Sequence, residues 1–158
     1  MSKSTTPEDL GAALGLLLRA YAEAVTPALG DLPHGSRGYQ TMCEVVHGRQ
    51  PSQAALAARL GIDRTMMTYL IDDLVEAGLV ERRPNPDDRR QRRIVATDRG
   101  RGTLEELCGR VRAAEDAALG ALGDEERAVF RRLLFKAAGA GAVHTAETCA
   151  LVEQALKS

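Results

Sequence analysis

Apolar positions recur at helical spacing in six stretches of this chain, and between the fourth and fifth the pattern changes to that of paired strands. The sharpest stripe is Met67, Leu70, Ile71, Leu74 and Val75, at i, i+3, i+4, i+7 and i+8. It predicts a helix from Arg64 to Glu76, begun by Asp63, whose carboxylate can cap free N–H groups, and ended at Gly78. A shorter alanine-rich helix precedes it, Gln53 to Leu60, capped by Ser52 and released at Gly61. After Gly78, Leu79-Val80-Glu81-Arg82-Arg83 reads as a strand, Pro84 to Asp88 as a turn-rich tip, and Gln91 to Ala96 as the returning strand.

The flanking pattern is also helical. Thr6-Pro7-Glu8-Asp9 has the form of a helix start, and Leu10, Leu14, Leu17, Leu18, Tyr21 and Val25 mark a broad apolar face that Pro27, Gly30 and Pro33 close as a loop. Periodicity alone does not separate an intrachain core helix from a subunit contact here. From Ser36, Tyr39, Met42, Cys43 and Val46 predict a second helix with Cys43 on its buried side. Thr97 is the expected cap of a long helix carrying Leu104, Leu107, Cys108, Val111, Ala114, Ala118 and Leu122, stopped by Gly123 and roughly 35–40 Å long. Asp124-Glu125-Glu126 then place acids at the positive end of another helix, with Val129, Phe130, Leu133, Leu134 and Ala137 as its buried stripe. Beyond Gly139-Ala140-Gly141 the segment 142–157 is helix-prone, and an added interface helix and a frayed extension both remain open. His144, alone in that tail, is read as a bystander.

The fold class expected is therefore mainly α with a small β-hairpin. Three segments are expected: an N-terminal helix over 7–34, a helix-turn-helix with wing over 35–97, and C-terminal helices over 98–158. A length of 158 residues allows one compact domain, or a scaffold with a small lobe, but not two enzyme domains. Scarce aromatics and absent tryptophan favour helices over a β-sandwich. No apolar run approaches the roughly 20 residues of a membrane span, and the first residues lack the apolar core of a signal peptide, so a cytoplasmic location is expected. Cys43, Cys108 and Cys149 are far apart, odd in number and without metal-ligand spacing; no disulfide framework, metal or cofactor is expected, and Cys43 is assigned to packing.

The polar face of the Arg64–Glu76 helix carries the chemistry. Arg64, Thr65, Thr68 and Tyr69 crowd its first turns, with Asp72 and Glu76 behind, which suits a helix entering a major groove by its N-terminal end. Ser52 and Gln53, at the start of the preceding helix, join the candidate DNA-contacting set. Six arginines lie from Arg82 to Arg93, against the acids Glu81, Asp87 and Asp88, on a chain whose net charge is only -1. An arginine-rich hairpin beside a helix-turn-helix fits phosphate contact and minor-groove insertion; in isolation it would read as a solvated, charged hairpin.

The ordered runs Leu56-Ala57-Ala58-Arg59-Leu60-Gly61, Thr65 to Leu74, Glu76-Ala77-Gly78-Leu79-Val80-Glu81-Arg82, Asn85-Pro86-Asp87-Asp88-Arg89-Arg90 and Thr97-Asp98-Arg99-Gly100 resemble the MarR family of winged-helix transcription regulators. Each piece is weak alone; their order and spacing are specific, most strongly over 36–101. The resemblance implies a homodimer that reads a pseudo-palindromic operator in double-stranded DNA, usually a repressor relieved by a small ligand or oxidant. It places Arg90 at the minor-groove arginine, Asp88 at the acid that orients it, and Thr65, Thr68 and Tyr69 on base edges and backbone. Arg89 and Arg92 complete the wing contacts. Tyr69 and Asp73 stand where the family often has arginine, which implies fewer or differently specific major-groove contacts. Some family members sense oxidants through a cysteine near the chain start; this sequence has none before Cys43, which weakens a redox-switch reading.

A small-molecule inducer would act from a cleft between the first, second and long fifth helices, with His34, Arg37 and Tyr39 as candidate lining residues; loop structure or core packing competes for each. The competing function is a winged helix that binds a protein partner through Asp72, Asp73 and Glu76. No metalloprotease helix, phosphate-cradling glycine loop or serine nucleophile elbow is present, so no enzyme is expected.

Overall fold

The structure, a computed structural model, describes residues 9–48 and 51–139. The predicted start at Thr6 and Pro7, Cys149, and the tail with His144 lie outside the described residues. Six helices and one hairpin follow in order: α1 (Leu10–Ala28), α2 (Gly35–His47), α3 (Gln53–Leu60), α4 (Arg64–Glu76), β1 (Val80–Pro84), β2 (Arg92–Ala96), α5 (Asp98–Ala118) and α6 (Asp124–Ala137).

Capping explains most boundaries. Asp9 caps α1 through the N–H groups of Gly11 and Ala12, Ser52 caps α3 through Ala55, and Asp63 caps α4 through Thr65 and Met66. The last two bonds hold the Asp63 carboxyl below its ordinary range. Gly78 leaves α4 at φ +73, a left-handed conformation costly for any side chain. β1 and β2 are antiparallel, from Val80 opposite Ala96 to Pro84 opposite Arg92. The lead-in to α3 joins this sheet: Ser52 bridges Arg93, and the Ile94 N–H donates to the Pro51 carbonyl at 3.0 Å.

Two cores divide the molecule. The larger gathers Met42, Leu56, Met67, Leu70, Ile71, Leu74, Val80 and Ile94 beneath the winged lobe. The smaller packs Val25 and Leu29 of α1 and its end against Leu107 and Val111 of α5. Leu32 and Tyr39 touch both. Thr97 fastens the hairpin to α5: its hydroxyl accepts from the Gly100 N–H at 2.9 Å and donates to the Gly78 carbonyl at 2.6 Å. At Gly100 a Cβ would stand 1.9 Å from the Leu79 carbonyl oxygen, so only glycine permits this crossing.

Several expectations change. Helix α1 runs through Pro27, its penultimate residue, where the missing N–H removes only one late bond. The buried line of α2 is Gly38, Thr41, Met42 and Val45, with Tyr39, Cys43 and Val46 half-buried beside it, a rotation of the predicted stripe. Helix α5 stops at Ala118, giving 21 residues and about 32 Å rather than 35–40 Å. Gly123 precedes α6 instead of ending α5, and its N–H donates to Glu126 at 2.8 Å. The predicted buried stripe of α6 is open: no α6 residue is buried, and Val129, Leu133, Leu134 and Phe135 are exposed. Arg131 fastens α6 to α5 through Glu115 (2.7 Å) and Asp116 (2.9 Å). That contact holds the Asp116 carboxyl below its usual range.

Candidate nucleic-acid interface

Helix α4 buries Met67, Leu70, Ile71 and Leu74 and turns Arg64, Thr65, Thr68 and Tyr69 outward. Tyr69 is 59% exposed, an unusual position for a large ring that no core contact explains. Thr68 donates to the Arg64 carbonyl (3.0 Å) and accepts from Nε2 of Gln53 on α3 (2.7 Å), so the two helices of the helix-turn-helix meet through side chains on the outer surface. Ser52 is committed to capping α3, with its backbone at the sheet edge.

The root of the wing reaches the same surface. From β1, Arg82 Nη2 lies 2.6 Å from Asp72 Oδ1 and 3.3 Å from Gln53 Oε1. Recognition-helix face and hairpin are thus contiguous, joined by α3. Farther out, the wing tip is ordered by its own short polar side chains. Asn85 Oδ1 accepts from the Asp87 N–H (3.1 Å), Asp88 Oδ1 accepts from the Arg90 N–H (2.9 Å), and Arg93 donates to Asp87 (2.9 Å). Asp88 therefore acts on the backbone of Arg90. The side chains of Arg64, Arg89, Arg90 and Arg92 are exposed and have no partner among the described residues. Exposed guanidinium groups on the hairpin and at the start of α4 have the form of a phosphate-binding surface.

Pairing also touches the acids of α4. Besides Asp72 with Arg82, Asp73 Oδ2 lies 2.7 Å from Nε2 of His34, which sits at the cap of α2 with a left-handed φ of 61. Neither pair was found from the sequence, because the partners are 10 and 39 residues apart and follow no periodicity. The available signal was chemical: carboxylates on an exposed helix face call for hydrogen-bond donors nearby.

The three candidate ligand-lining residues point to different neighbours. His34 meets α4, whereas the Tyr39 hydroxyl lies 3.4 Å from Cys108 Sγ between α2 and α5. Arg37 is half-buried, and its carbonyl accepts the Thr41 hydroxyl at 2.8 Å. Burial, with the neighbouring Cys108, pushes the Cys43 thiol up to about 11; burial and the Cys108 contact push Tyr39 well above the ordinary tyrosine range. Both groups are held protonated at neutral pH, as packing groups are. Among the described residues there is no cluster of three metal-ligating side chains, and no helix is long and apolar enough to cross a membrane.

Comparison with known proteins agrees with this geometry. Residues 44–91 match the model of the MarR family. The HTH-type transcriptional repressor NicR of Pseudomonas putida is 27% identical over 154 residues, spanning 86% of this chain and 94% of that protein. A Mycobacterium tuberculosis MarR family protein solved in complex with DNA is 25% identical with a TM-score of 0.70, covering 81% of this chain and 96% of that one. CouR of Rhodococcus jostii, solved with p-coumaroyl-CoA bound, is 28% identical with a TM-score of 0.66, covering 89% and 99%. Sequence motif, relatives and fold converge: the chain is similar to the MarR family of winged-helix transcriptional regulators.

Proposed function

We propose that this chain is a homodimeric, sequence-specific DNA-binding regulator, a repressor released from its operator by a small-molecule ligand. The observation that carries the DNA-binding reading is the continuity of one outward surface: Arg64, Thr65, Thr68 and Tyr69 on α4, Gln53 on α3, and a wing whose exposed Arg89, Arg90 and Arg92 have no partner among the described residues. Helix residues would meet base edges and backbone in the major groove, with Ser52 and Gln53 on the adjacent strand. Arg90, its backbone fixed by Asp88, would enter the minor groove. Two-fold pairing would place two such surfaces about one helical turn apart, roughly 34 Å, on a pseudo-palindromic site.

Ligand release is supported by relatives: NicR is a repressor and CouR is solved with an acyl-CoA bound. In this chain Tyr39 of α2 packs against both cores, between the α1–α5 pair and the winged lobe. A ligand there weakens DNA binding only by preferring a lobe spacing that mismatches the grooves. The test is fluorescence anisotropy with duplexes selected by the protein from a random pool, across a salt series and then with small aromatic acids and phenols added. Binding should weaken steeply with salt and be reversed by a ligand; binding indifferent to salt and sequence contradicts the proposal. The rival protein-docking reading relied on Asp72, Asp73 and Glu76, and contacts within the chain, with Arg82 and His34, engage the first two.

A further inference from the structure

We infer that Arg82 is a positioning residue for sequence readout: by clamping Asp72 and Gln53 it cancels an acid that would face the duplex and fixes the Gln53–Thr68 pair in one orientation. This role rests on the DNA-binding function proposed above. Arg82 lies at the root of the wing, opposite Ile94 in the β1–β2 register, with its side chain only 27% exposed. Its guanidinium is spent inside the protein, on Asp72 at 2.6 Å and Gln53 Oε1 at 3.3 Å.

The consequence follows from amide chemistry. With the Gln53 carbonyl taken by Arg82, its NH2 must point the other way, where Nε2 donates to Thr68 Oγ1 at 2.7 Å. The Thr68 hydroxyl proton is in turn used on the Arg64 carbonyl. An amide held at both ends presents its second N–H in one direction, which reading a base edge requires and a freely rotating glutamine does not give. Phosphate attraction is left to Arg64, Arg89, Arg90 and Arg92, which have no partner among the described residues. Loss of Arg82 therefore acts on discrimination and on the uncovered Asp72 charge, not on the number of phosphates engaged.

The test uses a duplex selected by the wild-type chain from a random pool, together with its single-base variants, measured across a salt series. Wild type is compared with Arg82→Met, which keeps the apolar stem, and with the double substitution Asp72→Asn, Arg82→Met. The single variant should bind on the order of tenfold more weakly. The double variant should recover most of that affinity with a wild-type salt slope, while both discriminate single-base variants several-fold less. Thermal unfolding separates any loss of fold from these effects. A double variant as weak as the single one, with the salt slope reduced by about one, would make Arg82 a phosphate ligand and overturn the inference; so would unchanged discrimination. Failure to select any duplex would instead remove the DNA-binding function itself. A DNA-free readout then still decides the clamp: the Gln53 side-chain amide resonances shift in Arg82→Met if it exists and stay in place if it does not.

Discussion

Arg90 and Cys43 show how differently one side chain can serve this molecule. The Arg90 guanidinium is exposed and has no partner among the described residues, while its backbone is pinned by Asp88. Arg90→Ala should leave thermal stability nearly unchanged and weaken operator binding by about tenfold or more, since an inserted arginine supplies both charge and groove contact. Unchanged affinity in a binding titration would take the wing tip out of recognition. Cys43 has the opposite character. Its folded pKa is raised to about 11 from 9.0 by burial, and Tyr39 is raised with it. The folded state then retains protons that the unfolded chain releases, so stability should be full below about pH 9 and fall as pH rises towards 11. Denaturant melts over that range should show the decline, with a shallower slope for Cys43→Val; a flat profile in wild type contradicts the assignment.

At the scale of elements, the junction of hairpin and α5 is the most constrained. Thr97 serves as cap and as donor to the end of α4, and Gly100 touches the Leu79 carbonyl. Thr97→Ala should cost about 1–2 kcal/mol by denaturant titration. Gly100→Ala should cost at least as much, because the neighbour in its way is backbone and cannot rotate aside. A neutral Gly100→Ala would mean that α5 does not cross the chain at Leu79 as described. The same elements show what the sequence could convey. Helix α4 was readable to the residue because Asp63 and Gly78 bracket a stripe whose period is unambiguous. The end of α5 was not: Leu119 and Leu122 continue the apolar spacing, and Gly123 reads equally as a stop or as the residue before a start. Pro27 looked like a breaker but falls in the last turn, where helices tolerate it. The Arg82–Asp72 and His34–Asp73 pairs depend on how elements cross, which local pattern does not encode.

At the scale of the whole molecule, the outstanding feature among the described residues is the exposed apolar surface on α1 and α6. Leu10 (72% exposed) and Leu16 on α1, and Leu133 and Phe135 (60% exposed) on α6, belong to helices otherwise tied to the scaffold mainly through α5. Burying such side chains is worth roughly 1.5–3 kcal/mol each, a contribution that favours the homodimer proposed here against the cost of association. The double substitution Leu133→Glu, Phe135→Glu should yield a folded monomer by sedimentation velocity with its helical content retained, and operator affinity should fall with dimerisation. A wild-type chain that sediments as a monomer at micromolar concentration would contradict the pairing.

Half-site spacing tests the central claim most directly. If two winged lobes are fixed by one dimer and read one duplex, affinity for the selected palindrome should be highest at its native spacing. It should drop by about tenfold or more when ~5 bp, half a turn, are inserted between the half-sites, because one lobe then faces the wrong side of the helix. Equal affinity for both duplexes, or one chain bound per duplex at saturation, would contradict the account.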